Sequence, residues 1–156
     1  MRLYLNLMAN IRVTKSFTFE MAHALWNYDG PCRNIHGHSY QLHVTVSGQP
    51  SKDLNNTKLG MVIDFSDLKK IVNQHVVDFF DHSVVISARA SQPDIERVEQ
   101  MFEKFYVVEY QPTCENLVID MAERIRTRLP AYVTLFSLRL VETATSYAEW
   151  FAADNQ

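Results

Sequence analysis

The sequence predicts an α+β domain in which an antiparallel sheet carries helices on one face. Apolar and polar residues alternate near both ends of the chain, and this period of two is typical of half-buried strands. Between the two ends, apolar residues recur at spacings of three and four, which mark the buried face of a helix. No internal repeat or linker interrupts the 156 residues. We therefore expect residues 1–156 to form a single domain.

Two strands are predicted first. Alternation over residues 11–21 predicts one strand, and His23 continues its inward-facing parity. A loop rich in Asn, Asp, Gly and Pro follows. Alternation over residues 38–46 predicts a second strand, paired antiparallel with the first. The polar segment 48–58 is expected to form a surface loop.

Three helices are predicted in the middle of the chain. Asp64 is a suitable N-cap for the first helix, whose apolar positions run over residues 65–80. The second helix has Pro93 near its first turn. Thr113 caps the third helix, which Pro130 stops.

The last part of the chain is predicted to be a hairpin of two strands over residues 134–141 and 147–151, and residues 106–110 a short extended piece. The sheet then has four strands and two unpaired edges. Unpaired edges tend to pair with other chains, and closing the sheet against sister subunits would remove them. We therefore expect a homo-oligomer.

The composition excludes several classes of function. Apolar residues make up 47% of the chain and charged residues 21%, which is the balance of an ordinary globular domain. The formal net charge is −3 and the longest basic run is Lys69–Lys70, so we expect no binding to nucleic acid. No apolar run approaches the roughly 20 residues that span a bilayer. The opening segment 1–13 lacks the features of a signal peptide, so we expect a cytoplasmic protein without a membrane partner.

The strongest local signal is the segment from Cys32 to His38, Cys-Arg-Asn-Ile-His-Gly-His. His36 and His38 project to the same side of an extended backbone because side chains alternate along a strand. His23, at the end of the neighbouring strand, can supply a third nitrogen. Three protein ligands leave one position open, which is typical of catalytic zinc. We therefore predict one Zn²⁺ on these three histidines.

The role of Cys32 stays open at this point. A thiol beside the zinc could act as a base or nucleophile, or it could be a fourth ligand that closes the site. The chain has two cysteines, which do not suggest a disulfide framework. Cys114 is expected to pack in the first turn of its helix. His43 and His75 are interpreted as ordinary, partly solvated residues.

Three carboxylates are further candidates. Asp81 could orient the imidazole of His82 as an acid or base, although such a dipeptide also has ordinary structural uses. Glu115 lies at a helix N-terminus, where the macrodipole favours a carboxylate, so helix capping would account for it. Glu142 lies near the end of a strand that should be mostly buried. A carboxylate there needs a partner, and a ligand with paired N–H donors would supply one.

Six motifs, in this order, resemble the 6-pyruvoyl-tetrahydropterin synthase and 6-carboxytetrahydropterin synthase family. They are Phe-Glu-Met-Ala-His at 19–23, Cys-x-x-x-His-Gly-His at 32–38, Met-Val-Ile-Asp-Phe at 61–65, Asp-His at 81–82, Pro-Thr-Cys-Glu-Asn at 112–116 and Val-Glu-Thr at 141–143. The resemblance implies the tunnelling fold (T-fold), a four-stranded antiparallel sheet with helices packed on one face. It also implies a hexamer built as a dimer of trimers, with active sites between subunits.

The resemblance implies a role for each candidate residue. The zinc ligands of the family match His23, His36 and His38. Cys32 matches the catalytic cysteine, which favours a base over a fourth ligand. Asp81 and His82 match a pair that transfers a proton. Glu142 matches the carboxylate that anchors the amino-pyrimidine edge of the pterin, and Glu115 matches a second substrate-binding residue near that pocket.

The reaction that the resemblance implies starts from 7,8-dihydroneopterin triphosphate. Elimination of triphosphate would give the pyruvoyl product. Loss of the side chain as acetaldehyde would give 6-carboxy-5,6,7,8-tetrahydropterin, on the route to 7-deazaguanines such as queuosine. The three residues between Cys32 and His36 are the spacing of the carboxy-type enzymes, so we favour that reaction. Two competing hypotheses are a non-catalytic pterin- or zinc-binding member of the family and an enzyme that cleaves dihydroneopterin.

Three departures from the family pattern bear on the substrate. Ala24 occupies a position where a basic residue often follows the first zinc histidine. The segment 83–86, Ser-Val-Val-Ile, replaces the Leu-Asn pair that commonly follows the Asp-His motif. The segment 87–105 is longer than in compact members. None of these departures touches the predicted zinc ligands.

Overall fold

The computed structural model of the chain describes residues 9–156. In this part of the chain the strands are β1 (Ile11–His23), β2 (His36–Gly48), β3 (Ser83–Ser87), β4 (Phe105–Val108), β5 (Val133–Thr143) and β6 (Ser146–Phe151). The α-helices are α1 (Phe65–Val72), α2 (Asp78–Phe80), α3 (Gln92–Met101) and α4 (Cys114–Arg126). The expectation of no signal peptide rests largely on residues 1–8, which lie outside the described residues.

The predicted antiparallel sheet is present, in the order β1-β2-β5-β6. β1 and β2 pair along their whole length, from Ile11 opposite Gly48 to His23 opposite His36. The predicted number of four strands is wrong, because β3 and β4 extend the sheet to six strands. β3 runs parallel to the last residues of β1, and β4 runs parallel to β3. All five residues of β3 are buried, so its sequence shows no alternation that could have predicted a strand.

The helices begin where their caps predict. The Asp64 carboxylate accepts a hydrogen bond from the Ser66 N–H, and the Thr113 hydroxyl accepts one from the Asn116 N–H. The first helix extends to Phe80 as predicted, although a π-helical stretch (Asn73–Val77) joins α1 to α2.

Helices α1 and α4 pack on one face of the sheet and form the main core with it. The largest fully buried side chains of this core are Tyr40, Phe80, Leu42, Leu68, Leu117, Met121, Ile125, Leu138 and Leu140. A second, smaller cluster lies on the other face of β3, where Val84 and Ile86 contact Ile95 and Val98 of α3. The helices α1 and α4 therefore confirm the predicted arrangement, and α3 adds a helix on the opposite face.

Within residues 9–156, two long strand edges are left open. Residues 11–20 of β1 pair only with β2, because β3 joins β1 at Met21–His23 alone. At the other side of the sheet, β6 pairs only with β5. The face of this sheet away from α1 and α4 is polar, and His43 there contacts the Ser16 hydroxyl at 2.7 Å. Among residues 9–156, no helix is long and apolar enough to cross a membrane.

Candidate active site

His23, His36 and His38 come together at the end of β1 and the start of β2. The strand register places His23 opposite His36, and Met21 opposite His38. The ring centroids are 4.7 Å apart for His23 and His36, 5.2 Å for His23 and His38, and 4.9 Å for His36 and His38. One ligand nitrogen of each imidazole lies within 4.8 Å of the other two. The structure therefore forms the predicted group, and this group could hold a metal ion.

Main-chain carbonyls orient two of these imidazoles. Nδ1 of His23 lies 2.6 Å from the Pro112 carbonyl oxygen, and Nδ1 of His36 lies 2.8 Å from that of Asn34. A carbonyl only accepts, so both Nδ1 atoms donate, and in the neutral form of each ring the lone pair is on Nε2. Metal-binding histidines are commonly oriented by such a contact from the far nitrogen.

His23 fits a metal most clearly. Its side chain is almost completely buried, and its Nε2 has no hydrogen-bond partner among residues 9–156. Leaving such an atom unpaired costs about 1–3 kcal/mol, a cost that a bound ion would remove. Burial lowers the pKa of His23, and this outweighs the opposing effects of the Pro112 carbonyl and Glu142. The imidazole is therefore neutral near pH 7, which is the form that binds a metal.

Glu142 belongs to the same site. Its Oε1 lies 3.7 Å from Nε2 of His23 and 4.0 Å from Nε2 of His38. The buried Tyr40 hydroxyl donates a 3.1 Å hydrogen bond to the same oxygen. Burial and the neighbouring carboxylate raise the pKa of Tyr40, so the hydroxyl keeps its proton. Tyr40 was missed by sequence reasoning, although it lies two residues after His38 and shares its parity.

Cys32 lies in a single 3₁₀ turn (Pro31–Arg33) between β1 and β2 and is half-buried. Its carbonyl accepts a 2.9 Å hydrogen bond from the Leu25 N–H, which closes the loop that carries it. The group of mutually close ligand atoms consists of the three histidines, without the Cys32 thiol. In this conformation the geometry does not make Cys32 a fourth ligand, and its catalytic role stays a prediction.

Gln111 was also missed by sequence reasoning. Its side-chain amide contacts both polar groups of the Trp26 backbone, accepting from the N–H at 3.0 Å and donating to the carbonyl at 2.7 Å. The next residue, Pro112, orients His23. The segment before α4 therefore holds both the first histidine and the loop that leads to Cys32. No pattern in the sequence indicates this, because a glutamine before a proline has no distinctive spacing.

Asp81 and His82 form the predicted contact. Oδ2 of Asp81 lies 2.9 Å from Nδ1 of His82, and Oδ1 accepts a 2.9 Å hydrogen bond from the Glu20 N–H. Burial of the carboxyl opposes ionisation, but these two hydrogen bonds prevail and hold the pKa of Asp81 below its usual value. The side chain of His82 is 77% exposed. Its φ of +58° is the left-handed conformation that few non-glycine residues adopt.

This pair does not join the histidine group within one chain. His82 lines a cleft with Glu20, Gly37 and Ser39, and His38 also borders this cleft. Along β1 and β2, Glu20 and Ser39 alternate with the histidines, so these two side chains lie on the opposite face of the sheet. The group that could hold a metal includes neither Asp81 nor His82.

Glu115 and Cys114 lie in the first turn of α4. The side chain of Glu115 is exposed to solvent. The Cys114 thiol donates to the Leu140 carbonyl oxygen at 3.4 Å. Burial, with a smaller contribution from Glu142, raises the pKa of this thiol to about 12. Cys114 thus behaves as a packed, protonated residue, as expected.

Comparison with known proteins agrees with this geometry. The family model described as 6-pyruvoyl tetrahydropterin synthase matches residues 12–153. The chain belongs to the 6-pyruvoyl tetrahydropterin synthase family. It is 36% identical over 142 residues to the 6-carboxy-5,6,7,8-tetrahydropterin synthase of Haemophilus influenzae, covering 89% of this chain and 97% of the relative. The protein of the same name from Rickettsia conorii is 29% identical over 145 residues, covering 89% and 99%.

Solved structures show that the chain has the fold of the 6-pyruvoyl tetrahydropterin synthase family. An uncharacterised Wolinella succinogenes protein superposes with a TM-score of 0.75 at 22% identity, covering 92% of this chain and 99% of that one. The 6-pyruvoyl tetrahydropterin synthase of Caenorhabditis elegans superposes with a TM-score of 0.67 at 23% identity, covering 95% and 99%. The predicted T-fold is therefore confirmed, with six strands instead of four.

The six motifs that predicted the 6-pyruvoyl tetrahydropterin synthase family lie in different places. Four of them meet at the histidine group, namely 19–23, 32–38, 112–116 and 141–143. The motif 61–65 instead places Asp64 as the cap of α1, so its role in this chain is structural. The Asp-His motif lies outside the histidine group at which the other four meet.

Proposed function

We propose that the chain is a zinc-dependent lyase, 6-carboxy-5,6,7,8-tetrahydropterin synthase. It would convert 7,8-dihydroneopterin triphosphate and one water molecule to 6-carboxytetrahydropterin, acetaldehyde and triphosphate. The observation that carries the proposal is the convergence of three imidazole nitrogens, one of them buried and unpartnered, in a member of this family. The names of the H. influenzae and R. conorii relatives favour the carboxy reaction over the pyruvoyl alternative.

The zinc ligands would be His23, His36 and His38. Zinc bound there would polarise a hydroxyl of the substrate side chain and acidify the neighbouring C–H bond. The carbonyls of Pro112 and Asn34 hold two of the imidazoles with Nε2 free, so the chain meets the metal already oriented. Cys32, in the loop beside the group, would take the proton from carbon as its thiolate.

Carboxylates would bind and orient the pterin. Glu142 accepts from Tyr40 through Oε1, which leaves Oε2 for the N–H donors of an amino-pyrimidine edge. Tyr40 is fully buried, so it fixes this carboxylate next to the histidines. Glu115, exposed at the start of α4, would contribute from the rim of the pocket.

The active site would be shared between copies of the chain. Within one chain, the histidine group that could hold a metal includes neither Asp81 nor His82. A second copy could bring its own pair to the histidine side. The open edges of β1 and β6 support a homo-oligomer in which sheets pair edge to edge. We propose the hexamer of stacked trimers that the family resemblance implies.

The wider setting belongs to the same proposal. The chain would work as one domain over residues 1–156, in the cytoplasm, with a small pterin as substrate and without nucleic acid or membrane as partner. The formal charge of −3 supports the absence of nucleic acid. The product would enter the synthesis of 7-deazaguanines such as queuosine.

The deciding experiment is product identification by mass spectrometry after incubation of the zinc-loaded protein with 7,8-dihydroneopterin triphosphate. We expect 6-carboxytetrahydropterin and acetaldehyde in equal amounts. A pyruvoyl product would establish the alternative reaction. Tight binding of the pterin without any product would instead indicate a binding protein. Cleavage of dihydroneopterin is disfavoured because such members carry a glutamate near the cysteine position, and no Glu occurs between His23 and His36.

A further inference from the structure

The turn that carries Asp81 and His82 is held by a lysine from a distant part of the chain. The ammonium group of Lys104 donates to the Asp78 carbonyl at 2.8 Å and to the Asp81 carbonyl at 2.5 Å. These carbonyls belong to the last turn of α2 and its C-terminal cap. A cation at this end of a helix satisfies unpaired carbonyls and favours the negative end of the macrodipole. Lys104 therefore fixes the backbone on which the pair is built.

The backbone at His82 needs such support. Its φ of +58° is a strained conformation for a residue with a side chain, and such residues persist where their surroundings determine them. β1 provides part of this support, because the Glu20 carbonyl accepts from the His82 N–H at 2.6 Å. The Ser83 hydroxyl donates to the Phe80 carbonyl at 2.6 Å. Lys104 supports the same turn from a segment that belongs neither to β1 nor to the turn.

The orientation of the His82 imidazole depends on this arrangement. One oxygen of Asp81 is occupied by the Glu20 N–H, and the other faces Nδ1 of His82. Nδ1 therefore donates to this carboxylate, on a ring that is largely exposed. A shift of the Asp81 backbone would move this carboxylate and release the imidazole.

The segment 87–105 anchors Lys104 itself. Phe102 and Phe105 pack in the apolar cluster with Val84 and Ile86 of β3. The Lys104 carbonyl accepts a 3.0 Å hydrogen bond from the Val84 N–H. Both hydrogen bonds of its ammonium group go to main-chain carbonyls in the described part of the chain. Lys104 thus lies directly before β4, between packed residues, and its ammonium group is not a loose surface charge.

We propose that Lys104 is a positioning residue that holds the Asp81–His82 pair in its working geometry. The segment 87–105 then serves in part to place Lys104 beside this turn. By the family resemblance, this segment is longer than in compact members. The inference rests on the proposed function, because it assigns Lys104 to the proton-transferring pair of that reaction. Lys104 acts through the turn and does not itself contact the substrate.

The test compares four substitutions in the full-length, zinc-loaded protein. Lys104→Met removes the charge and the donors but keeps the length of the side chain, and Lys104→Arg keeps both charge and donors. Lys69→Met, at an exposed position on α1, is the matched control. Lys104→Gln is a second neutral variant in case the methionine disturbs folding. Steady-state kinetics, zinc content and a crystal structure are measured for each.

We expect kcat of Lys104→Met to fall about tenfold with KM changed less than twofold, a part of the 10²- to 10⁴-fold that acid–base catalysis supplies. Zinc content should stay unchanged, Lys104→Arg should recover most of the rate, and Lys69→Met should match the wild type. The crystal structure of Lys104→Met should show the 2.9 Å contact between Asp81 and His82 broken.

Three results would overturn the inference. They are an unchanged Asp81–His82 contact in Lys104→Met, an equal loss of rate in Lys104→Arg, or an equal loss in Lys69→Met. The crystal structure decides on positioning without any turnover. If the wild type forms no product, the proposed function fails, and the structural result on Lys104 still stands or falls on its own.

Discussion

At the scale of single residues, His23 is the most constrained ligand of the proposed zinc. It is almost completely buried, its Nδ1 is bonded to Pro112, and its Nε2 has no other partner among residues 9–156. We expect His23→Ala to weaken zinc binding more than about 100-fold, because loss of an outer-shell partner alone costs 10- to 100-fold. Zinc per chain after dialysis, measured by mass spectrometry of the metal, tests this.

His43→Ala is the matched control for that measurement. His43 lies on the polar face of β2 and contacts Ser16. Its side chain is on the opposite face of the strand from those of His36 and His38. It should keep one zinc per chain. Retention of zinc by His23→Ala, or its loss from His43→Ala, would contradict the proposed ligand set.

The two thiols should differ in reactivity. Burial raises the pKa of Cys114 to about 12, so at pH 8 only about one thiol in 10⁴ is ionised. A raised pKa keeps a thiol protonated at every pH below it, and the protonated form does not attack iodoacetamide. We therefore expect Cys32 to be alkylated first, which peptide mass spectrometry can follow over time. Faster labelling of Cys114, or an unchanged pattern in Cys32→Ser, would be inconsistent with the structure.

At the scale of elements, the segment before α4 joins two parts of the site. Gln111 bonds the Trp26 backbone twice, and the next residue orients His23. Gln111→Ala would leave these backbone groups without their partners, and each lost hydrogen bond costs about 1 kcal/mol. We expect the free energy of unfolding in urea to fall by about 2 kcal/mol, and Cys32 to be alkylated faster as its loop loosens.

Gln100→Ala, at an exposed position on α3, is the control for Gln111→Ala. It should change neither the free energy of unfolding nor the labelling of Cys32. Equal behaviour of the two variants would show that the Gln111 contacts do not hold the loop. Zinc content should stay at the wild-type level in both, because the histidine ligands themselves are untouched.

The elements also show which parts of the fold could be predicted from the sequence. β1 and β2 were predictable because one face is buried and the other is polar, and that contrast produces a period of two. β3 was not, because both of its faces are covered and its five residues are all buried. The cover on its second face is α3, which packs against Val84 and Ile86. A strand hidden between a core and an added helix has no polar side to reveal it.

The candidate site divides in the same way. Strand parity was sufficient to place His23, His36 and His38 together, since their side depends only on local alternation. It could not place the side chain of His82, because the direction of that side chain depends on the left-handed backbone of His82 itself, just after α2. Contacts between distant segments, such as that of Tyr40 with Glu142, leave no local pattern at all.

At the scale of the whole molecule, the separation of the two halves of the site predicts how copies cooperate. The group that could hold a metal consists of the three histidines and includes neither Asp81 nor His82. If each active site takes Cys32 from one copy and His82 from its neighbour, a chain with either residue replaced is inactive by itself. Mixed oligomers then contain some sites in which both contributed residues are intact.

Co-expression of Cys32→Ala and His82→Ala chains with different tags tests this cooperation. In a random one-to-one mixture, half the copies offer an intact Cys32 and half of their neighbours an intact His82, so about one quarter of the sites should work. Doubly tagged oligomers should therefore turn over 7,8-dihydroneopterin triphosphate at about a quarter of the wild-type rate, while each variant alone stays inactive. A mixture as inactive as its components would mean that Cys32 and His82 act within the same chain. Turnover would then not require the open edges of β1 and β6 to pair with other copies. These edges would need another explanation.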